Sequence, residues 1–173
     1  MSTPSGAVTT TPTGTTSREV EMDAKELLAL AAPILDRLAA LDAERPALAK
    51  GELAGLDVSA FEAGLRAAHA EGWVTPREQA GVKFGRLVKA SEESRGFSID
   101  IVEMSGAAAG PHTHPAGEFD LSFALDGAPT FDGHGPGWLV YPPGSRHTPV
   151  VTGGRMLIAY FLPGGAIRFE ATP

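Results

Sequence analysis

Two kinds of hydrophobic pattern divide the chain. Between residues 23 and 42, leucine and isoleucine recur every three or four positions, which is the spacing of one face of an α-helix. Asp23 begins a capping-box pattern at the start of this segment, and Pro33 predicts a kink or a break within it. A second helix is predicted to begin at Ser59, as its cap, and to end at Gly72.

After Trp73 the pattern changes to short runs of β-branched and aromatic residues, separated by glycine, proline and aspartate. The predicted strands are 82–88, 97–104, 119–125, 138–141, 148–151, 156–162 and 166–170. Because no helical stretch separates these strands, they indicate an antiparallel sandwich or barrel. We therefore predict a mainly β fold, with the helices packed on its outside or on a partner subunit.

The chain is long enough for one domain with a sizeable core. We predict a disordered tail over residues 1–18, which are poor in bulky apolar side chains, an N-terminal helical segment over 19–75, and a β-barrel over 76–173. The tail lacks the apolar core of a signal peptide, and no apolar run is long enough to cross a bilayer. These features predict a cytoplasmic protein with no membrane partner.

Charge and cysteine content narrow the possible chemistry. The formal net charge is −7, and no cluster of lysine and arginine appears, which argues against nucleic acid as a partner. The chain has no cysteine, so any bound metal must be held by imidazole, carboxylate or water.

Candidate metal ligands occur in two short stretches. In GPHTHPAGEFD, His112 and His114 occupy alternate positions of an extended strand and therefore share a face, and the turn after them lets Glu118 return to that face. In PPGSRH, a tight turn delivers His147 from another strand. Three imidazoles and one carboxylate suit one divalent transition metal (Fe, Mn, Zn, Co, Ni or Cu) and leave coordination positions open for water or substrate.

These two stretches resemble a known pair of motifs. HTHPAGE is similar to the first cupin motif, and PPGSRH resembles the second, PxGxxH, in the expected order. The resemblance implies a cupin-type antiparallel β-barrel, or jelly roll, with the metal in its interior. The spacing after Glu118 and the spacing before Pro142 depart from the usual motifs, which affects the expected loop shapes and not the ligands.

A narrower resemblance covers most of the chain after the tail. The helical N-terminal part, PHTHPAGE and FDGHGPGWLVYPPGSRHTPVVTGGRMLIAYFLPGGAI resemble the 4-hydroxylaminobenzoate lyases, a family within the cupin superfamily. This implies release of ammonia from 4-hydroxylaminobenzoate to give protocatechuate, in bacterial degradation of nitroaromatic acids. The conversion is redox-neutral, so we expect no electron carrier, and a metal acting as a Lewis acid would assist it.

Two further residues are candidates for proton transfer. Asp120 is predicted to share a strand face with Glu118, which makes it a proton donor or acceptor, or a residue that orients a ligand histidine. His134 lies in a glycine-rich loop and is either an acid or base near the site or a surface residue.

Candidates for substrate binding are an arginine for the carboxylate and aromatic residues for the ring. Arg146 adjoins His147, although neighbours on a strand face opposite ways, and the alternatives are Arg86, Arg95, Arg155 and Arg168. Tyr141 and Trp138 are predicted to line an aromatic pocket, or else to belong to the core.

Other functions are compatible with the same ligands. One is a cupin dioxygenase or isomerase acting on a small aromatic or keto acid, and oxygen consumption would separate the dioxygenase from a lyase. Another is a non-catalytic small-molecule-binding cupin, although the helices lack the basic recognition helix of a repressor. An amphipathic leading helix would suit a subunit interface, so a homo-oligomer, a dimer, is predicted.

Overall fold

The computed structural model describes residues 22–106 and 109–170, so the predicted tail lies outside the described residues. The described residues form three helices: α1 (Ala24–Leu38), α2 (Pro46–Leu53) and α3 (Ser59–Ala70). Their strands are β1 (Arg77–Gln79), β2 (Val82–Val88), β3 (Phe97–Ser105), β4 (His112–His114), β5 (Glu118–Phe131), β6 (Gly137–Tyr141), β7 (Ser145–His147), β8 (Val151–Pro163) and β9 (Arg168–Phe169). The division into tail, helical segment and barrel stays a prediction.

The structure confirms the predicted N-terminal cap of α1 and contradicts the predicted cap of α3. The capping box of α1 is present, because Asp23 Oδ1 accepts from the backbone N–H of Glu26 at 2.8 Å. Helix α1 continues through Pro33 without a break. The predicted capping role of Ser59 is wrong: Ser59 is the first residue of α3, and its backbone N–H and hydroxyl both donate to Asp57.

Helix α2 was not predicted. It has eight residues, of which only Ala49 and Leu53 are buried, so its apolar pattern is too weak to be read from the sequence. None of the described helices is long and apolar enough to cross a membrane.

The strands form two antiparallel sheets. The larger sheet has six strands in the order β1-β2-β3-β8-β5-β6, and the smaller has the order β7-β4-β9. The long strands β5 and β8 pair from Phe119 opposite Phe161 to Phe131 opposite Val151, and each has a neighbouring strand on both sides in the larger sheet. This arrangement confirms the predicted mainly β, antiparallel jelly-roll fold with helices at the N-terminus.

The two faces of the larger sheet have different roles because side chains alternate along each strand. One face packs against the helices, as the 6.1 Å separation of the Phe61 and Phe161 ring centroids shows. The opposite face carries a second apolar cluster that includes Met104, Ile158 and Tyr160, together with Glu118, the predicted ligand on β5. The apolar face of α1 is thus buried within its own chain, and its pattern alone no longer supports a dimer.

Candidate metal centre

The smaller sheet brings the three predicted histidine ligands together. Strands β4 and β7 are antiparallel neighbours in which His112 lies directly opposite His147 and His114 lies opposite Ser145. Side chains of directly opposite residues share a face, so the three imidazoles lie on one side of this sheet. Glu118, the first residue of β5, completes a cluster in which one candidate ligand atom from each residue lies within 4.8 Å of every other.

A tight turn returns the chain from β4 to Glu118. Gly117 has a φ of +85°, and a Cβ added there would lie 2.9 Å from the Cβ of Ala43 and 3.0 Å from the carbonyl oxygen of Tyr141. Glycine is therefore needed at this position both for its backbone conformation and for space. The turn leaves Oε2 of Glu118 2.8 Å from Nδ1 of His114.

Two of the imidazoles are oriented by hydrogen bonds to their outer nitrogens. Nδ1 of His112 lies 2.9 Å from the carbonyl oxygen of Gly110, and Nδ1 of His147 lies 2.8 Å from Oδ2 of Asp132. A ring that donates its Nδ1 proton to such an acceptor keeps Nε2 as a lone-pair donor, which is the form that binds a metal. The Nε2 atoms of His114 and His147 are 3.0 Å apart, as two ligands of one ion can be.

Asp132 supports the cluster and was not predicted from the sequence. Its Oδ2 also accepts from the hydroxyl of Tyr141 at 2.5 Å, and its Oδ1 accepts from the backbone N–H of Val150 at 2.8 Å. Burial opposes ionisation of Asp132, but hydrogen bonds from His147, Tyr141 and Val150 outweigh it and lower its pKa. The available signal was the Asp132-Gly133 pair, which forms a tight hairpin turn with φ values of 48° and 81°.

The donor atoms of the cluster fit a metal ion. Nε2 of His112 is buried and has no hydrogen-bond partner among the described residues. A buried polar atom without a partner costs on the order of 1–3 kcal/mol, and a bound cation would remove this cost. Burial, together with neighbouring imidazoles, lowers the pKa of His112 and of His114 to about 4, so both rings are neutral at pH 7, as metal binding requires.

Asp120 lies on the same face of β5 as Glu118, as predicted. Both side chains are fully buried. Burial raises the pKa of Glu118 to about 8 in the absence of a cation, and burial with the adjacent Glu118 carboxyl raises the pKa of Asp120 well above its usual value. In the absence of a cation, at least one of the two carboxyls therefore holds a proton at neutral pH.

A cavity of about 850 Å³ lies beside the cluster, between the two sheets. His112 and Glu118 form part of its wall, and much of the rest is apolar: Phe84, Val102, Met104, Leu162, Ile167 and Phe169. The size and the lining suit a small aromatic molecule in contact with the cluster. Asp120 is not part of this wall.

The structure places two predicted substrate-binding residues outside the cavity wall. Trp138 pairs with Leu121 and lies on the helix-facing side of the sheet, with its ring centroid 5.9 Å from that of Phe161, because it alternates with Leu139, which belongs to the apolar cluster of the opposite face. Arg146 alternates with His147 on β7, so its side chain points outward, is 60% exposed and binds the carboxylate of Glu170.

The other two predicted residues lie near the cluster in different roles. The ring centroids of Tyr141 and His147 are 4.3 Å apart, and the Tyr141 hydroxyl donates a hydrogen bond to Asp132. Tyr141 therefore supports the metal-ligand cluster. It does not line the cavity. His134 is exposed in the hairpin turn, with Nδ1 3.0 Å from the carbonyl oxygen of Asp132, and the structure does not bring it into the cavity wall.

Comparison with known proteins identifies the family. Residues 56–169, which include the whole cluster, match the sequence profile of the family described as PnbB, 4-hydroxylaminobenzoate lyase. The chain belongs to this family. The resemblance carried by the motifs is thereby confirmed.

Two relatives bear the same name. The 4-hydroxylaminobenzoate lyase of Nocardioides sp. (strain LMS-CY) is 32% identical over 112 residues, covering 60% of this chain and 66% of that protein. The 4-hydroxylaminobenzoate lyase of Pseudomonas putida is 31% identical over 118 residues, covering 58% of this chain and 67% of that protein. The chain thus spans about two thirds of the length of these relatives.

Solved cupin structures are more distant. A cupin protein of Ralstonia eutropha JMP134 has 16% identity and a TM-score of 0.41, over 53% of this chain and 60% of that one. A cupin-like protein of Thermotoga maritima has 17% identity and a TM-score of 0.41, over 53% of this chain and 77% of that one. The description of the fold therefore depends on the sheet topology and not on these superpositions.

Proposed function

We propose that this protein is a metal-dependent lyase that converts 4-hydroxylaminobenzoate and water to protocatechuate and ammonia. The atoms balance with one water consumed, and no external oxidant or reductant is required. The observation that carries the proposal is the buried cluster of three imidazoles and one carboxylate within a chain of this family. Membership of the family supports the substrate, and the cluster supports the metal dependence.

His112, His114, Glu118 and His147 would hold one divalent transition metal, because all four offer a donor atom to the same point. The metal would act as a Lewis acid that assists cleavage of the N–O bond or activates a water molecule. The identity of the metal, among Fe, Mn, Zn, Co, Ni and Cu, is left to metal analysis, since imidazole and carboxylate ligands accept several of these ions.

The protein's own groups would orient the ligands and manage protons. Asp132 keeps His147 in the tautomer that presents Nε2 to the cluster, and the carbonyl of Gly110 does the same for His112. Asp120, the buried carboxyl beside Glu118, is proposed as a proton reservoir that acts through Glu118. The cavity would hold the aromatic ring in contact with the cluster and away from bulk water.

The proposal is tested by supplying 4-hydroxylaminobenzoate to metal-analysed protein under anaerobic conditions, while protocatechuate and ammonia are measured. We expect both products in equal amounts without oxygen, and loss of both in His114→Ala. The matched control is His134→Ala, which removes an exposed imidazole and should retain activity. Absence of product from fully metallated protein would refute the lyase function.

Parallel assays in the presence of oxygen, with other small aromatic and keto acids, separate the alternative functions. Oxygen-dependent turnover of an aromatic or keto acid would indicate a dioxygenase, and binding without turnover would indicate a small-molecule-binding cupin. The dimer and the cytoplasmic location stay predictions; size-exclusion chromatography with light scattering would test the first.

A further inference from the structure

The cavity has a basic region in addition to its metal-ligand cluster. Arg77, Arg86 and Lys89 all contribute to its wall. Arg77 lies over the ring of Phe84, 4.9 Å from its centroid, so an aromatic side chain and a cation are combined at this part of the wall. This region is positively charged, whereas the cluster region contains buried carboxyl groups.

Arg86 and Asp120 lie on the same face of the larger sheet, at opposite ends of one row of paired residues, and Glu118 of the cluster is two residues from Asp120 on β5. Arg86 on β2 is directly opposite Asp100 on β3, Asp100 is opposite Tyr160 on β8, and Tyr160 is opposite Asp120 on β5. Three strand spacings separate the Cα atoms of Arg86 and Asp120 by about 14 Å along the sheet. Arg86 and Glu118 line the same cavity of about 850 Å³, which is large enough to hold one aromatic ring.

Asp100 orients the guanidinium without using all of its donors. Nε of Arg86 donates to Oδ1 of Asp100 at 2.6 Å, and Nη2 donates to Oδ2 at 2.9 Å. A guanidinium has five N–H groups, so both N–H groups of Nη1 and one of Nη2 remain for a second carboxylate. The planar arrangement of these N–H groups matches the two oxygens of a carboxylate. Because the ion pair with Asp100 already fixes the Arg86 side chain, less side-chain entropy is lost when a second carboxylate binds.

The other arginines considered from the sequence do not line this cavity. Arg146 is paired with Glu170 on the outer side of β7, and Arg95 is paired with Asp36 on helix α1. Arg155 lines a separate pocket.

We propose that Arg86, oriented by Asp100, binds the carboxylate of the aromatic acid substrate and so directs its para substituent towards the metal-ligand cluster. This inference rests on the proposed function for the identity of the substrate. The charge distribution supports the orientation, because Arg86 lies three strands away from Asp120 and its neighbour Glu118 on the same sheet.

Binding of stable probes tests this assignment without turnover. Isothermal titration calorimetry would compare 4-hydroxybenzoate with 4-hydroxybenzamide on the metal-loaded protein, since the two differ only in the charged group. We expect the wild-type protein to bind the carboxylate at least tenfold more tightly than the amide. In Arg86→Lys, affinity for the carboxylate should fall about 10- to 100-fold and affinity for the amide should stay within twofold.

Two further variants keep the test decisive. Arg86→Lys preserves a cation beside Asp100, so its fold can be verified by circular dichroism and thermal melting, and Arg86→Met then removes the charge. Arg155→Lys is the matched control, because Arg155 also binds an aspartate on a neighbouring strand and has a similar side-chain exposure, 44% against 39% for Arg86. It should leave both affinities unchanged.

The outcomes separate this inference from the proposed function. Unchanged carboxylate affinity in folded Arg86→Lys and Arg86→Met would overturn the assignment, and would place the anion elsewhere, for example at the metal. If the wild-type protein selects the carboxylate through Arg86 but fails to convert 4-hydroxylaminobenzoate, the lyase function fails while the binding site stands. In an active enzyme, Arg86→Lys should raise KM for 4-hydroxylaminobenzoate by more than it lowers kcat.

Discussion

Replacing Asp132 with asparagine should weaken metal binding without displacing any ligand residue. Asp132 accepts three hydrogen bonds, from the imidazole of His147, the hydroxyl of Tyr141 and the backbone N–H of Val150. An asparagine has one acceptor oxygen and one NH2 group, so in either amide orientation the NH2 group faces at least one of these donors. Asparagine also tolerates the positive φ of this position, so the turn itself should persist.

The size of the effect follows from the loss of the carboxylate partner of His147. Loss of such a partner lowers metal affinity about 10- to 100-fold, which corresponds to about 1.4–2.7 kcal/mol of binding free energy. Tyr141→Phe should have a smaller effect, less than about tenfold, because it removes one donor to Asp132 and leaves the bond between Asp132 and His147.

Competition with a chromophoric chelator would measure the metal affinity of each purified variant, and urea titration would verify that each is folded. The matched control is Asp126→Asn, at an exposed aspartate of β5 that binds Arg155 instead of a ligand histidine. Wild-type affinity is expected for this control. Wild-type affinity in Asp132→Asn would refute the conclusion that Asp132 orients His147 for metal binding.

Three further predictions concern stability and surface residues. In protein stripped of metal by a chelator, the free energy of unfolding should fall as the pH rises from about 6.5 to 8, as measured by urea titrations. Folding raises the pKa of Glu118 to about 8 and that of Asp120 well above its usual value, so the folded state holds protons which the unfolded state has lost, whereas the lowered pKa values of His112 and His114 add stability only up to about pH 6.5. Metal should abolish the fall, and a stability that keeps rising from pH 6.5 to 8 without metal would contradict this account. Trp138→Phe should lower the free energy of unfolding by about 1–3 kcal/mol, since Trp138 packs in the helix-facing core. The KM of the folded enzyme should stay unchanged, and a large change in KM would show that Trp138 touches substrate. Arg146→Ala should leave kcat and KM unchanged in steady-state assays, because Arg146 points outward to Glu170, and a loss of substrate affinity would disprove that orientation.

The local parts of the metal-ligand cluster could be predicted from the sequence. His112 and His114 share a face because side chains alternate along a strand, and Glu118 follows after a turn that contains glycine. His147 was found through a second motif at a recognisable turn. Helix α1 was equally predictable because its capping box and apolar repeat are both local, whereas α2 has only two buried residues and left no comparable pattern.

The supporting residues depend on which strands pair and in which register, and only the tertiary structure decided that. Asp132 reaches His147 because a hairpin turn after β5 meets the end of β7, fifteen residues further along the chain. Arg86 lies in one row with Asp120 through three successive strand pairings, and Trp138 faces the helices because it pairs with Leu121. A shift of one residue in any of these registers would exchange the two faces of the sheet, and the chain's local pattern does not specify which register forms.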